Sequence, residues 1–98
     1  MNKFDLLTFE KLKHQDGVQA IAEFPNGFGA SVIKSDMSYG GKSGLFEIAV
    51  LDKDGKLNSE TDIADDVIGW QDEDDIDRVL TAISKLLPDG TLPKDITT

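Results

Sequence analysis

Apolar positions along this chain repeat with two different periods. Between Val18 and Leu51 the repeat is close to two residues, and between Ile76 and Leu87 it is three to four, so the sequence predicts strands first and a helix afterwards. Val18, Ala20, Ala22 and Phe24 alternate with Gln19, Ile21 and Glu23, which turns the first set toward a core and leaves Ile21 as an apolar exception on the other face. A second strand follows from Phe28 to Ile33. Between the two lies Pro25-Asn26-Gly27, where Asn26-Gly27 tolerates the positive φ angles of a two-residue hairpin turn. From Gly44 to Leu51 both alternating sets are largely apolar, which predicts a central strand or one with a covered face. Asp52-Lys53-Asp54-Gly55 is a turn, and Lys56-Leu57-Asn58 suits a short returning strand. Upstream, Leu7 to Lys13 alternates as a strand would, although the same residues could begin a helix.

Ile76, Val79, Leu80, Ile83, Leu86 and Leu87 fall on one stripe at helical spacing. Asp72 is a natural N-cap, Glu73, Asp74 and Asp75 complement the positive end of the helix dipole, and Pro88 with Asp89-Gly90 stops the helix. A helix with one apolar face and a sheet with one apolar face satisfy each other by packing together. The expected fold is therefore α+β, an antiparallel β-meander of three to four strands covered on one face by a single C-terminal helix. It forms one domain over residues 1–88, with 89–98 as a loose tail. The glycine-rich, polar stretch from Lys34 to Ser43 is expected to be a mobile connection, and the loop best suited to meet a partner.

Charge adds a second pattern. The chain of 98 residues carries a net charge of −9, and all of it arises between Glu60 and Asp77, where nine acids stand with no base. The remaining ten acids and ten bases cancel. Dispersed bases and an acidic balance argue against direct nucleic-acid binding and against binding to anionic membranes. There is no cysteine, which excludes disulfides, thiolate zinc sites and cysteine nucleophiles. No run is long enough for a membrane span or a signal peptide, and a cytoplasmic protein is expected.

No catalytic pattern emerges. Asp52-Lys53-Asp54-Gly55 superficially fits a calcium loop, but with Gly55 at the sixth position the first and twelfth would be Val50 and Thr61, which supply no carboxylate. Gly40-Gly41-Lys42-Ser43 lacks the leading glycine of a phosphate-binding loop, since Asp36 occupies that place. The serines have only His14 as a base and lie in no nucleophile-elbow pattern. No cofactor is expected. Trp70, after Val67-Ile68-Gly69, reads first as a half-buried residue closing the core beside the helix start. Its second reading is an interface anchor, because tryptophan is enriched at binding hot spots and an acidic rim would steer a basic partner.

Three segments, Pro25-Asn26-Gly27-Phe28-Gly29-Ala30-Ser31-Val32, Gly44-Leu45-Phe46-Glu47-Ile48-Ala49-Val50-Leu51 and Asp65-Asp66-Val67-Ile68-Gly69-Trp70, together resemble a family of small acidic proteins of tailed bacteriophages and prophages. The resemblance spans roughly Phe9 to Leu87 and departs from the family at Trp70, where tyrosine is usual, and in the strongly acidic approach to the helix. It implies an accessory role in an infected or lysogenic bacterial cell, but no reaction and no catalytic residues.

The expected function is thus non-enzymatic: binding a host or phage protein that has a basic surface, through Asp65, Asp66, Trp70, Asp72, Glu73, Asp74 and Asp75. Tyr39 or Phe28 would add apolar contact if exposed. One version is inhibition of a nucleic-acid-binding host protein, such as a restriction, recombination or CRISPR component, with carboxylates replacing phosphates. The alternative is a divalent-metal-binding module or small metal-dependent enzyme that uses the clustered carboxylates. A homodimer formed through the sheet face is a third reading.

Overall fold

A computed structural model describes residues 2–64 and 66–93. Five strands, β1 (Glu10–Lys11), β2 (Gly17–Glu23), β3 (Gly29–Ser35), β4 (Phe46–Leu51) and β5 (Ile68–Gln71), pair antiparallel in the order of the sequence, and one helix, α1 (Glu73–Ser84), covers one face. The α+β meander expected from the two periods is therefore present, with five strands where three to four were expected. The additional strand is β5. The segment 56–58 contributes only a single bridge, Leu51 to Leu57, and the stretch 7–13 pairs only at Glu10 and Lys11.

The short first strand follows an aromatic segment. Phe4, in a single 3-10 turn over Phe4–Leu6, stacks edge-on against Phe46 at 5.4 Å, and Phe9 lies 5.5 Å from the same ring. Phe4 and Phe9 are partly buried against the core, and ladder pairing begins only beyond them, at Glu10. The Phe4 amide also donates to Asp77 Oδ1 at 3.1 Å, which fastens this segment to α1.

Alternation along β3 and β4 sends Ala30, Val32, Phe46, Ile48 and Val50 to the helix side, where they meet Ile76, Leu80, Ile83 and Leu86 in one buried cluster, and Ala20 of β2, paired with Val32, is buried as well. Among the described residues, no helix covers the opposite face. Gln19 Nε2 donates to Ser31 Oγ across that face at 2.9 Å, and Ile21 stands 54% exposed, the exception the alternation marks.

The β2–β3 connection is a three-residue loop, since Phe24 N–H bonds Phe28 O at 2.9 Å and Pro25-Asn26-Gly27 lies between. This differs from the expected two-residue turn. Gly27 takes the positive φ, whereas Asn26 reaches across to the helix, where its Nδ2 donates to Ile83 O and Leu86 O at 2.8 and 3.1 Å. The hairpin tip thus adds a second donor to Ile83 O, which the Leu86 amide already bonds, and supplies one to Leu86 O just beyond the helix end. Leu87 lies beyond the helix and is exposed. Residues 89–93 are fastened where a loose tail was expected: Asp62 N–H bonds Gly90 O, Leu92 N–H bonds Asp62 Oδ2, and Leu92 packs on the core. The remainder of that expected tail, 94–98, lies outside the described residues.

Candidate functional site

The acids of the 60–77 stretch divide by what they touch. Asp72 caps α1, accepting from Asp75 N–H at 2.8 Å, while Asp75 Oδ2 accepts from Asp72 N–H at 3.1 Å, a reciprocal capping box. Asp75 also pairs with Arg78 one turn along. The Asp72 amide, aided by the Arg78 charge, holds the Asp75 carboxyl below its ordinary pKa against a smaller opposing effect of desolvation. Asp62 accepts from Leu92 N–H, Asp66 from Val67 N–H at 2.8 Å, and Asp77 from Phe4 N–H. Among the described residues, Glu60, Glu73 and Asp74 are exposed, and their carboxylates accept no hydrogen bond. Asp65 lies outside the described residues. Much of the acidic stretch therefore holds backbone in place, and the expected partner-binding set separates into capping residues (Asp72, Asp75), a local turn acceptor (Asp66) and free charges (Glu73, Asp74).

Trp70 does not close the core. It lies on the edge strand β5 and is 61% exposed, while Ile68 is the residue of that strand packed against the core. A β-bulge accounts for the difference. Phe46 pairs with Gln71 and Ile48 with Ile68, so the single β4 residue Glu47 faces two β5 residues, Gly69 and Trp70. Strict alternation from Ile68 would have turned Trp70 inward. The extra residue reverses its side and places it on the face that Glu47 occupies.

The bulge is held by the connection after β3. Tyr39 O accepts from Trp70 N–H at 3.1 Å, Tyr39 N–H donates to Glu47 Oε1 at 3.1 Å, and Gln71 Nε2 donates to Gly69 O at 3.0 Å. Two glycines make this approach feasible: a Cβ on Gly69 would stand 2.3 Å from Tyr39 Cβ, and one on Gly40 would stand 3.0 Å from Trp70 Cα. Trp70 itself has φ 59°, the left-handed region that a bulky residue seldom adopts, and such conformations cost about 1–3 kcal/mol. The 34–43 stretch is thus organised, with a 3-10 turn at Gly41–Ser43 and a Ser35–Ser38 turn closed through Ser38 Oγ.

Tyr39 is 64% and Met37 81% exposed, so the loop and the bulge present three large apolar side chains to solvent. Tyr39 and Trp70 border one shallow cleft of about 180 Å³, together with Asp36, Ser38, Lys42 and Ser43. Phe28, the third aromatic considered for contact, is buried in the core instead. The contributions of Asp36, Glu47 and the two glycines were not read from the sequence. Gly69 inside an otherwise strand-like run was the available signal, since such a glycine marks a bulge or a close backbone approach.

Among the described residues, no three His, Asp or Glu side chains converge as a metal site, and no helix is long and apolar enough to cross a membrane. Compared with protein-family models, with curated proteins and with solved structures, the chain finds no match.

Proposed function

We propose that this chain is a non-enzymatic accessory protein, of the phage or prophage kind that its sequence resembles. In this reading it acts in the cytoplasm of the bacterial host by binding a protein with a basic surface. The binding face consists of the β5 bulge and the start of α1. One observation carries the reading: Trp70, on a strained bulge, and Tyr39, bonded to it through the backbone, are both exposed and border one cleft, just before the exposed carboxylates of Glu73 and Asp74 in the chain. Solvating charge alone would need no such aromatic platform. An exposed tryptophan with a tyrosine beside it is the composition of a binding hot spot, and surrounding carboxylates favour encounter with a basic surface. Inhibition of a nucleic-acid-binding target follows if these carboxylates occupy positions that phosphates would take.

The test is affinity capture from a bacterial lysate with three folded proteins: wild type, Trp70→Gly, and the double variant Glu73→Gln with Asp74→Asn. A basic protein retained by the wild type and lost by both variants is the expected outcome, and displacement of nucleic acid from it would establish the inhibitory version. Equal retention by all three would remove the face from the function.

A further inference from the structure

The cleft between Tyr39 and Trp70 is small. Its volume of about 180 Å³ lies below the roughly 300–1,000 Å³ of ordinary small-molecule sites, and leaves room for one long side chain. Its walls are two aromatic groups, the Ser38 and Ser43 segment, and one carboxylate, Asp36. Resting on the binding reading above, we infer that this cleft receives an arginine side chain of a basic protein segment, its guanidinium stacked on the indole of Trp70 and its charge facing Asp36.

Three properties of the site favour that occupant. An exposed indole is the best cation–π acceptor among side chains, and a guanidinium, planar and weakly hydrated, stacks on it without losing its in-plane hydrogen bonds. The apolar stem of arginine covers the tyrosine and tryptophan carbon surface while its head stays at the polar rim. The chain as a whole carries −9, which concentrates basic segments at its surface. Lys42 borders the same cleft and opposes a cation. Asp36 and Lys42 give the cleft one charge of each sign, so the attraction for a guanidinium comes from the indole face and the acidic excess of the chain, and Lys42 weakens it. Backbone pairing is a poor alternative here, because Gly69 O is already bonded by Gln71 and Trp70 N–H by Tyr39.

The experiment is a titration of the isotope-labelled full chain with a peptide of repeating Gly-Arg-Gly units, and with its citrulline counterpart, which keeps the shape and removes the charge. Resonances of the Trp70 indole N–H and of the Tyr39 and Gly40 amides are followed. Expected are saturable shifts of these three groups with the arginine peptide, and binding weaker by about tenfold with the citrulline peptide. Trp70→Gly should abolish the Tyr39 and Gly40 shifts, Asp36→Asn should weaken binding severalfold, and Lys42→Gln should strengthen it. Shifts confined to Glu73 and Asp74 would overturn the cleft as the receptor and leave the acidic face as a binder of basic chains. Equal binding of the citrulline peptide, or no saturable shift, would also overturn the arginine site, while the capture experiment reads the broader function separately.

Discussion

The start of α1 and the bulge of β5 adjoin in sequence but use opposite chemistries, and each reverses the role its composition suggests. At the helix start, Asp72 and Asp75 look like surface charge, yet they bond each other's backbone amides and hold the first turn. At the bulge, Trp70 looks like core, yet it stands in solvent on a strained backbone. A carboxylate near free amides gains more from bonding them than from remaining solvated. A tryptophan can face water on such a backbone only where the surrounding structure over-determines it. The difference suggests looking for function at the aromatic group and for stability at part of the charge.

Four substitutions or conditions would sharpen or break that contrast, beginning with the largest effect. Gly69→Ala drives a Cβ into Tyr39, and should destabilise the protein by about 1–3 kcal/mol as overpacked sites do, while releasing the Tyr39–Trp70 contact. Urea denaturation measures the first effect and the Trp70 emission spectrum the second. An unchanged protein would mean that the loop does not clamp the bulge.

Asp72→Ala removes the N-cap and should cost about 1 kcal/mol, with helical circular dichroism lost first from the start of α1. If stability is unaffected, the capping box is not holding the helix.

Acid should act through Asp75. Its carboxyl is held below its ordinary value in the folded state, so its stabilising contribution is complete above the unfolded value near 3.9 and is lost as pH falls through the lowered folded value. Asp89 is lowered in the same direction by the Thr91 hydroxyl and amide, and acts in the same acid window. The midpoint of thermal unfolding should therefore fall on the acid side of about pH 4 in the wild type, and fall less in Asp75→Ala. Parallel pH profiles for the two proteins would argue against the box as a charged device.

The smallest effect is expected at Trp70. Trp70→Gly relieves the positive φ, but the greater freedom of glycine in the unfolded chain and the loss of the ring's remaining contacts oppose that gain, so the net change in stability should stay within about 0.5 kcal/mol. A tryptophan closing the core would instead lose about 3–5 kcal/mol on truncation, which a single denaturation curve distinguishes.

The parts of the molecule that were legible in its sequence are those governed by near neighbours. The two-residue period over 18–51 and the helical stripe from Ile76 to Leu86 identify the central strands, the helix and the faces they bury, because side-chain direction in regular structure follows from spacing alone. The N-cap at Asp72 was readable for the same reason, as the amides it satisfies lie within three residues. Other features depend on segments far apart in the chain. Asn26 looks like a turn residue, and only the packed structure brings it to the carbonyls of Ile83 and Leu86. Asp62 looks like one more surface charge until Leu92 arrives beside it.

What the sequence alone determined is the α+β class, the core face of each central strand, the helix with its cap, and an excess of negative charge in one stretch. What only the tertiary structure decided is the fifth strand and the direction of Trp70. β5 is four residues long, carries a glycine, and loses its alternation at the bulge, so no period marks it. The bulge exists because Glu47 and the Tyr39–Gly40 backbone meet Gly69 and Trp70 from another part of the chain, and one inserted residue turns the tryptophan from the core to the surface. Local spacing sets which way a side chain points only while the ladder is regular. Where a distant contact interrupts the ladder, the contact decides.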